Sequence, residues 1–423
     1  MPDTLMSLAL NGMKWTYTSS LTVGLLQIVT ASVLARLLEP KAFGLIAMGG
    51  VVLRFGNYFS HFGMGSAIVQ KHTLTSEDIR SAFTFSIGLS LVFLSLFWVV
   101  SPAISLFFAA PELLSILPVM AFSFVFTGFS TTAIGLLRRE FKFQLLAMSD
   151  ILGYLIGYGV VGMYAALSGA GAWSLVYASL TQTGIIGLLA YAFTRHEVKP
   201  LFSYNRGRQL ASFGGKVSII GFLEFVSSNL DMLAIGQVMG AVLLGLYSRA
   251  YMLVNVPMQY LSGSLSRVLL TSFSRIQGDI ARIERSFRVS MLVMATILFP
   301  VCFGITGAAS EIILTLLGEQ WKDAIPILRI LALSTPFMLL SHIEAVLLEA
   351  TVHLTIKLYI QLVSIFALCS LFFILLPYGL IGLASAISLR SVRLLMAYTA
   401  ALKKFLSIPQ RKSYENLIPG ILC

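Results

Sequence analysis

The sequence predicts an all-α integral membrane protein, with about twelve transmembrane helices in two pseudo-symmetric six-helix bundles. Three observations point there. Hydrophobic residues make up 57% of the 423 and charged residues only 11%, whereas a soluble globular protein carries about 25% charged residues; the mean hydropathy is +0.88. Apolar runs of the ~20 residues that span a bilayer recur along the chain. Lys and Arg gather in alternate loops, as cytoplasmic loops require. Strand-like alternation is absent, which argues against a β-barrel.

The runs fall near 15–37, 43–66, 82–108, 113–137, 147–168 and 172–193, and resume near 216–238, 245–270, 289–309, 324–348, 355–376 and 379–400. The first is too long for a cleavable signal peptide and continues directly into the pattern. With an even number of spans, the inner loops hold Arg138, Arg139 and Lys142, then Arg195, Lys199, Arg206 and Arg208. Arg275, Arg282, Arg285 and Arg288 follow, and finally Lys403, Lys404, Arg411 and Lys412. The opposite loops are short and poor in charge, so both termini are placed in the cytoplasm. The longest inner loop, Thr194 to Gly215, divides the chain into an N-terminal bundle, 1–200, and a C-terminal bundle with a short cytoplasmic tail, 201–423.

The net charge of +11 sits in short loops between apolar runs, which fits a membrane face and excludes a nucleic-acid groove. Cys302, Cys369 and Cys423 have no metal spacing. The first two lie in apolar runs and read as small packing residues.

The halves read as repeats. An offset of 201 carries LEPKAFGL (Leu38 to Leu45) onto MGAVLLGL (Met239 to Leu246), so Gly44 falls on Gly245. The same offset carries Asp78 onto Asp279, and Arg54, Tyr58 and His61 onto Asn255, Gln259 and Ser262. Six helices separate the copies, which gives parallel repeats about an axis along the membrane normal.

The opening GMKWTYTSSLTVGLLQIVTASVLARLLEPKAFGLIAM resembles the first two helices of the oligosaccharide flippases (Wzx type), members of an exporter superfamily that also holds lipid II flippases and multidrug antiporters. Ala35-Arg36-Leu37-Leu38, Pro40 and Phe43-Gly44 carry the resemblance, with Thr75 to Arg80 and Arg138 to Lys142 in later inner loops. It implies two six-helix bundles around a central cavity. It also implies movement of an undecaprenyl-diphosphate-linked oligosaccharide from the cytoplasmic to the periplasmic leaflet of the bacterial inner membrane, for lipopolysaccharide or exopolysaccharide synthesis. The expected partners are that lipid, membrane lipids, a polysaccharide polymerase and a chain-length regulator, with no nucleic acid.

Charges inside the spans are the candidate site, because intramembrane ionisable residues are functional by default. Arg54, Tyr58 and His61 share a face of the second helix, with Asn57 beside them. A guanidinium fork suits phosphate oxygens; a structural ion pair is the competing explanation. Lys14 and Lys216 begin equivalent helices, where snorkelling anchors compete with a role in meeting the diphosphate. Arg249 is placed at the opening of the eighth helix, and Arg390 and Arg393 inside the twelfth among serines. Asn255 and Gln259 complete the expected substrate face. On the seventh helix Glu224 and Asp231, two turns apart, are candidates to bind a coupling H⁺ or Na⁺, or to pair with Arg54. His342 and Glu344, on different faces of the tenth helix, are a further coupling candidate.

GYLIGYGVVG (Gly153 to Gly162) spaces Gly153 and Gly157 for close helix packing; no Gly-Lys-Ser/Thr follows, so it is no nucleotide loop. The inner segments at Ser76 to Arg80 and Gly278 to Ile280 are expected to cap short amphipathic stretches. No catalytic residue, bound metal or cofactor is expected. The alternative function is an ion-coupled multidrug antiporter of the same superfamily, which calls for an acidic, aromatic cavity. A membrane glycosyltransferase, polymerase or ligase is disfavoured by short outer loops and by the lack of an Asp-x-Asp in the long inner loop.

Overall fold

The computed structural model describes residues 2–60, 64–71, 73–201, 204–276, 279–351 and 354–406. Among the described residues every regular element is helical, because in lipid a backbone must satisfy its hydrogen bonds within the segment or in a closed barrel. Nine segments of the described residues are long and apolar enough to cross a membrane. One of them, Thr355–Phe405, takes in two consecutive helices, and another, Phe225–Met258, runs through a break at Gly240. Two compact units emerge, Met1–Gly245 and Leu246–Cys423.

The first unit holds α1 (Pro2–Leu37), α2 (Pro40–Ser60), α3 (Met64–Gln70), α4 (Ser76–Phe107), α5 (Leu113–Met120) and α6 (Phe122–Arg139). After α7 (Phe143–Tyr154) the helix widens into a π-helical segment, Leu155–Gly162, before α8 (Met163–Leu167) and α9 (Ala172–Thr194). The glycines there do what their spacing predicts. A Cβ at Gly157 would come 2.6 Å from the Ala178 carbonyl oxygen on α9, so the two backbones lie in contact. The buried hydroxyls of Thr30 and Tyr154, 2.8 Å apart, tie α1 to α7.

Thr75 caps α4 with a reciprocal box: its hydroxyl accepts from the Asp78 N–H (3.2 Å), and the Asp78 carboxylate accepts from the Thr75 N–H (3.1 Å). This corrects the expectation of short amphipathic stretches, since Thr75 starts a 32-residue spanning helix directly. Asp279 likewise starts α11 (Ile280–Gly307), accepting from the Arg282 N–H at 3.0 Å. Asp78 and Asp279 are nevertheless not equivalent caps. Asp78 is the third residue of its helix and Asp279 precedes its own.

α10 (Tyr204–Arg275) is one run of helix broken at Gly240, whose φ of +78° only glycine adopts without strain. Its start at Tyr204 shortens the expected Thr194 to Gly215 loop. The early part of α10, YNRGRQLASFGG, is polar, and a hydropathy window reads depth in lipid rather than helix length. The remaining linker is pinned to α4: the Arg80 side chain donates to the Lys199 carbonyl (3.1 Å), and the Leu201 N–H donates to the Thr84 hydroxyl (2.9 Å). His196, 8% exposed, packs edge-on against Phe83 and Tyr191.

At the break, α10 crosses the start of α2 with reciprocal backbone contacts. A Cβ at Gly44 would lie 1.7 Å from the Ala241 carbonyl oxygen, and one at Gly245 would lie 1.9 Å from the Pro40 carbonyl oxygen. Residues 40 and 44 map onto 241 and 245 under the 201-residue offset, so the crossing is locally two-fold. Nearby, Lys41 and Glu112 form a 2.5 Å ion pair between the first turn of α2 and the start of α5.

The second unit comprises the rest of α10, α11, α12 (Ala309–Leu316), a 3₁₀ turn (Glu319–Ala324) and α13 (Ile325–Ala350). α14 (Leu354–Leu375), a second 3₁₀ turn (Leu376–Tyr378) and α15 (Gly379–Leu406) complete it. The span ending in α13 is the central one: 61% of its most apolar stretch is buried, against 17–44% for the other spans. Trp321 is fully buried in the turn that precedes it. Cys302 is buried as expected, while Cys369 is exposed.

Candidate functional site

Arg54 lies in the interior of α2, and its side chain is exposed. The guanidinium donates from Nη2 to Asn229 Oδ1 on α10 at 3.3 Å and approaches Met232 Sδ at 3.8 Å. Asn229 is oriented for this, because its amide nitrogen donates to the Phe225 carbonyl one turn back (2.8 Å). Phe225 in turn meets Phe55 edge-on. A Cβ at Gly50 would lie 3.5 Å from Arg54 Nη1, an ordinary contact distance, so the guanidinium lies back along α2 over this residue. An arginine in an apolar span is thus presented on the surface of the unit beside a neutral amide.

Asp231 is buried, at 7% exposure. Asn229 and Met232 are three residues apart and share the face that receives Arg54; Asp231 sits off it. Asn57 is half-buried and Lys14 exposed, both in the first unit. His61 lies outside the described residues, as do the side chains of Tyr58, Lys216, Glu224 and Gln259, so the expected Arg54–Tyr58–His61 face is described only at Arg54.

In the second unit Asn255 is half-buried. Arg249 does not open its helix as expected. The break falls at Gly240, which places Arg249 more than two turns inside, half-buried, with Nη1 3.4 Å from Met252 Sδ. Arg390 and Arg393 converge on one residue of α14: Arg390 Nε donates to the Ser364 hydroxyl (3.2 Å), and Arg393 Nη2 donates to the Ser364 carbonyl (3.3 Å). Glu344 is 1% exposed and accepts a 2.6 Å hydrogen bond from Thr399 on α15. His342, two residues away, is exposed, in keeping with the different faces expected. Among the described residues no group of three His, Cys, Asp or Glu side chains is placed to hold a metal ion.

Sequence reasoning passed over Asp150, an exposed carboxylate inside the Phe143–Leu167 span. The rule that flagged Arg54, a charge inside an apolar run, would have found it. Ser364 and Thr399 carried no signal at all, since single hydroxyls are common in apolar helices.

The chain was compared with known proteins. A family model described as "Polysaccharide biosynthesis protein" matches residues 33–326. The chain belongs to that family. Arg54, Asp231, Arg249 and Asn255 lie within the family match, whereas Glu344, Arg390 and Lys14 lie outside it. Among relatives, the teichuronic acid biosynthesis protein TuaB of Bacillus subtilis is 24% identical over 77% of this chain and 67% of its own length. The lipopolysaccharide biosynthesis protein WzxC of Escherichia coli is 23% identical over 76% of this chain and 66% of its own length. The succinoglycan biosynthesis transport protein ExoT of Rhizobium meliloti is 28% identical over 73% and 62%, respectively. The match therefore spans about two thirds of these relatives.

The fold is shared more widely than the family. A solved structure of the lipid II flippase MurJ in an inward closed conformation superposes with a TM-score of 0.78 at 13% identity, covering 97% of this chain and 91% of its own. An inward-facing multidrug resistance MATE transporter of the MOP superfamily gives 0.70 at 17%, covering 92% and 98%. The expected all-α membrane class holds: this is a multi-pass α-helical membrane protein with the fold of these transporters.

Proposed function

We propose that the chain is a flippase for an undecaprenyl-diphosphate-linked oligosaccharide, carrying the repeat unit from the cytoplasmic to the periplasmic leaflet of the bacterial inner membrane. Family membership supports the polysaccharide part of this reading, and the MurJ-like fold supports movement of a lipid-linked cargo. The observation that carries it is Arg54, an exposed guanidinium in the interior of an apolar helix, with Asn229 fixing one nitrogen. A planar guanidinium fork matches the paired oxygens of a diphosphate.

In this reading Arg54, Asn57, Tyr58, His61, Asn255, Gln259, Arg249, Arg390, Lys14 and Lys216 face the substrate over the transport cycle, and Asp231 and Glu224 are the candidates to bind a coupling ion. The two six-helix halves, 1–200 and 201–423, rock against each other while the prenyl tail stays in lipid. Both termini are cytoplasmic, and the product is handed to a polymerase with its chain-length regulator.

The test is polymer export in cells, at matched protein levels. Arg54→Lys keeps the charge without the fork and should retain partial export, while Arg54→Ala should retain almost none. Undiminished export by Arg54→Ala overturns the diphosphate role. Export of cationic drugs by the wild type, with no effect on polymer, would assign the chain to the antiporter alternative.

A further inference from the structure

The most deeply buried acid of the second unit has no place in the substrate reading. Glu344 lies on the central helix α13 at 1% exposure, and Thr399 on α15 is 5% exposed. Thr399 Oγ1 lies 2.6 Å from Glu344 Oε1 and 2.8 Å from the Leu395 carbonyl oxygen, so its one proton serves two acceptors, and Oε2, equally buried, has no partner. Two buried carboxyl oxygens and a single neutral hydroxyl, itself bonded to the Leu395 carbonyl, describe a poor site for a carboxylate and a suitable one for a carboxylic acid.

Neighbouring charges do not change this. Among the described residues Glu344 takes part in no ion pair within 4 Å. On α13 itself, Glu349 is bonded to Lys357 of α14 (3.1 Å) and His342 is exposed on another face, while Arg329 lies four turns away. On α15, Arg390 and Arg393 reach Ser364 of α14, and Lys403 and Lys404 are exposed beyond Thr399. On α11, Arg288 pairs with Glu284 at 3.3 Å, and Arg282 and Arg285 are exposed in the first two turns of that helix. The charges of α12 and its following turn (Glu311, Glu319, Lys322 and Asp323) belong to the opposite end of α13.

We propose that Glu344 is a proton-binding site of the second unit, protonated in this conformation and obliged to release that proton when α13 and α15 separate and admit water. The step is a simple exchange: H⁺ binds the carboxylate from one side of the membrane and leaves it to the other, with Thr399 held against Oε1 throughout. Substrate movement would then be linked to proton movement, because the closed packing of α13 on α15 tolerates only the neutral acid. The link to transport rests on the flippase reading; the proton site does not.

The experiment has two arms on the purified full chain. Infrared difference spectroscopy in H₂O and D₂O reads a protonated-carboxyl C=O band at neutral pH in the wild type, which should vanish in Glu344→Gln. Proteoliposomes loaded with fluorescent undecaprenyl diphosphate read flipping with and without a pH gradient. The wild-type rate should change at least about fivefold with the gradient, the lower end of typical coupling, while Glu344→Gln should keep gradient-free exchange and lose the response. A wild type without the band at neutral pH, or a Glu344→Gln variant that still answers the gradient, overturns the proposal. So does a rate that follows Na⁺ instead of H⁺. A wild type that moves no probe, yet shows the band and loses it in Glu344→Gln, refutes the flippase reading and upholds the proton site. Should Glu344→Gln fail to accumulate, Thr399→Val replaces it: the band must shift to higher frequency on losing its hydrogen bond, and an unshifted band overturns the assignment.

Discussion

The crossing of α2 with α10 makes a sharp quantitative demand. A Cβ on Gly44 would stand 1.7 Å from the Ala241 carbonyl oxygen, where a carbon–oxygen contact needs about 3.3 Å. Gly44→Ala therefore requires the two backbones to part by about 1.6 Å, and neither partner is a side chain that can rotate away. Overpacking of this kind costs about 1–3 kcal/mol, against a gain of roughly 0.5–1 kcal/mol from replacing a helical glycine by alanine. The expected net loss is about 1–2 kcal/mol, or a fall of roughly 2–4 °C per kcal/mol in the melting midpoint of a unit this size. Gly88 on α4 is the control, since a Cβ there meets nothing within 4 Å; Gly88→Ala should be neutral or slightly stabilising. Gly245→Ala, at 1.9 Å from the Pro40 oxygen, should match Gly44→Ala. The double variant should lose less than the sum, because one separation relieves both clashes. Thermal unfolding of the detergent-solubilised protein, followed by size-exclusion fluorescence, is the assay. Equal midpoints for Gly44→Ala and Gly88→Ala, or strictly additive losses in the double variant, would refute a tight reciprocal crossing.

Three further outcomes are expected. Burial holds the His196 imidazole below its ordinary 6.5, so the unfolded chain takes up its proton first as pH falls. The stability this linker contributes is present above about pH 6.5 and is lost as pH drops through the folded-state value; His196→Gln should flatten the melting midpoint over that window, and an unchanged slope refutes it. The hydrogen bond from Lys41 holds the Glu112 carboxyl below the usual carboxylate range, so the pair stabilises above the unfolded value near 4.5 and fades as pH falls further. Both groups are substantially exposed, so Glu112→Gln should change the acid limb only slightly and should do so less at high salt. Tyr154→Phe removes the buried hydroxyl contact to Thr30 and should cost about 1 kcal/mol, and adding Thr30→Val should cost less than the two single losses summed, since the inter-helix bond is shared and only the Thr30 bond to the Leu26 carbonyl is lost anew.

The α-helical plan was legible because each span announces itself: an apolar run is a local signal that needs no knowledge of its neighbours. The ends of the helices were less so, and α10 begins at Tyr204 in a stretch too polar for any hydropathy reading. The repeat shows how local signals mislead about equivalence. The Gly44–Gly245 and Asp78–Asp279 coincidences look equally slight in sequence, yet the glycines occupy matching places in one two-fold contact, while the aspartates stand three positions apart in their caps. The difference is physical. A glycine at a backbone crossing cannot be moved by one residue without rotating the contact away by about 100°, whereas a helix start moves freely with the length of the loop before it. The candidate site divides the same way. Arg54, Arg390 and Glu344 stood out as charges in apolar runs, but their partners Asn229, Ser364 and Thr399 did not. A charge inside lipid is costly wherever it sits and so is visible alone; an amide or hydroxyl acquires meaning only from the helix register that brings it to the charge. For Glu344 that register decides the chemistry. Its neighbour is a neutral hydroxyl on α15 rather than a cation, so the residue that the sequence offered as a coupling candidate is, in the proposal above, a place where a proton stays until the helices move.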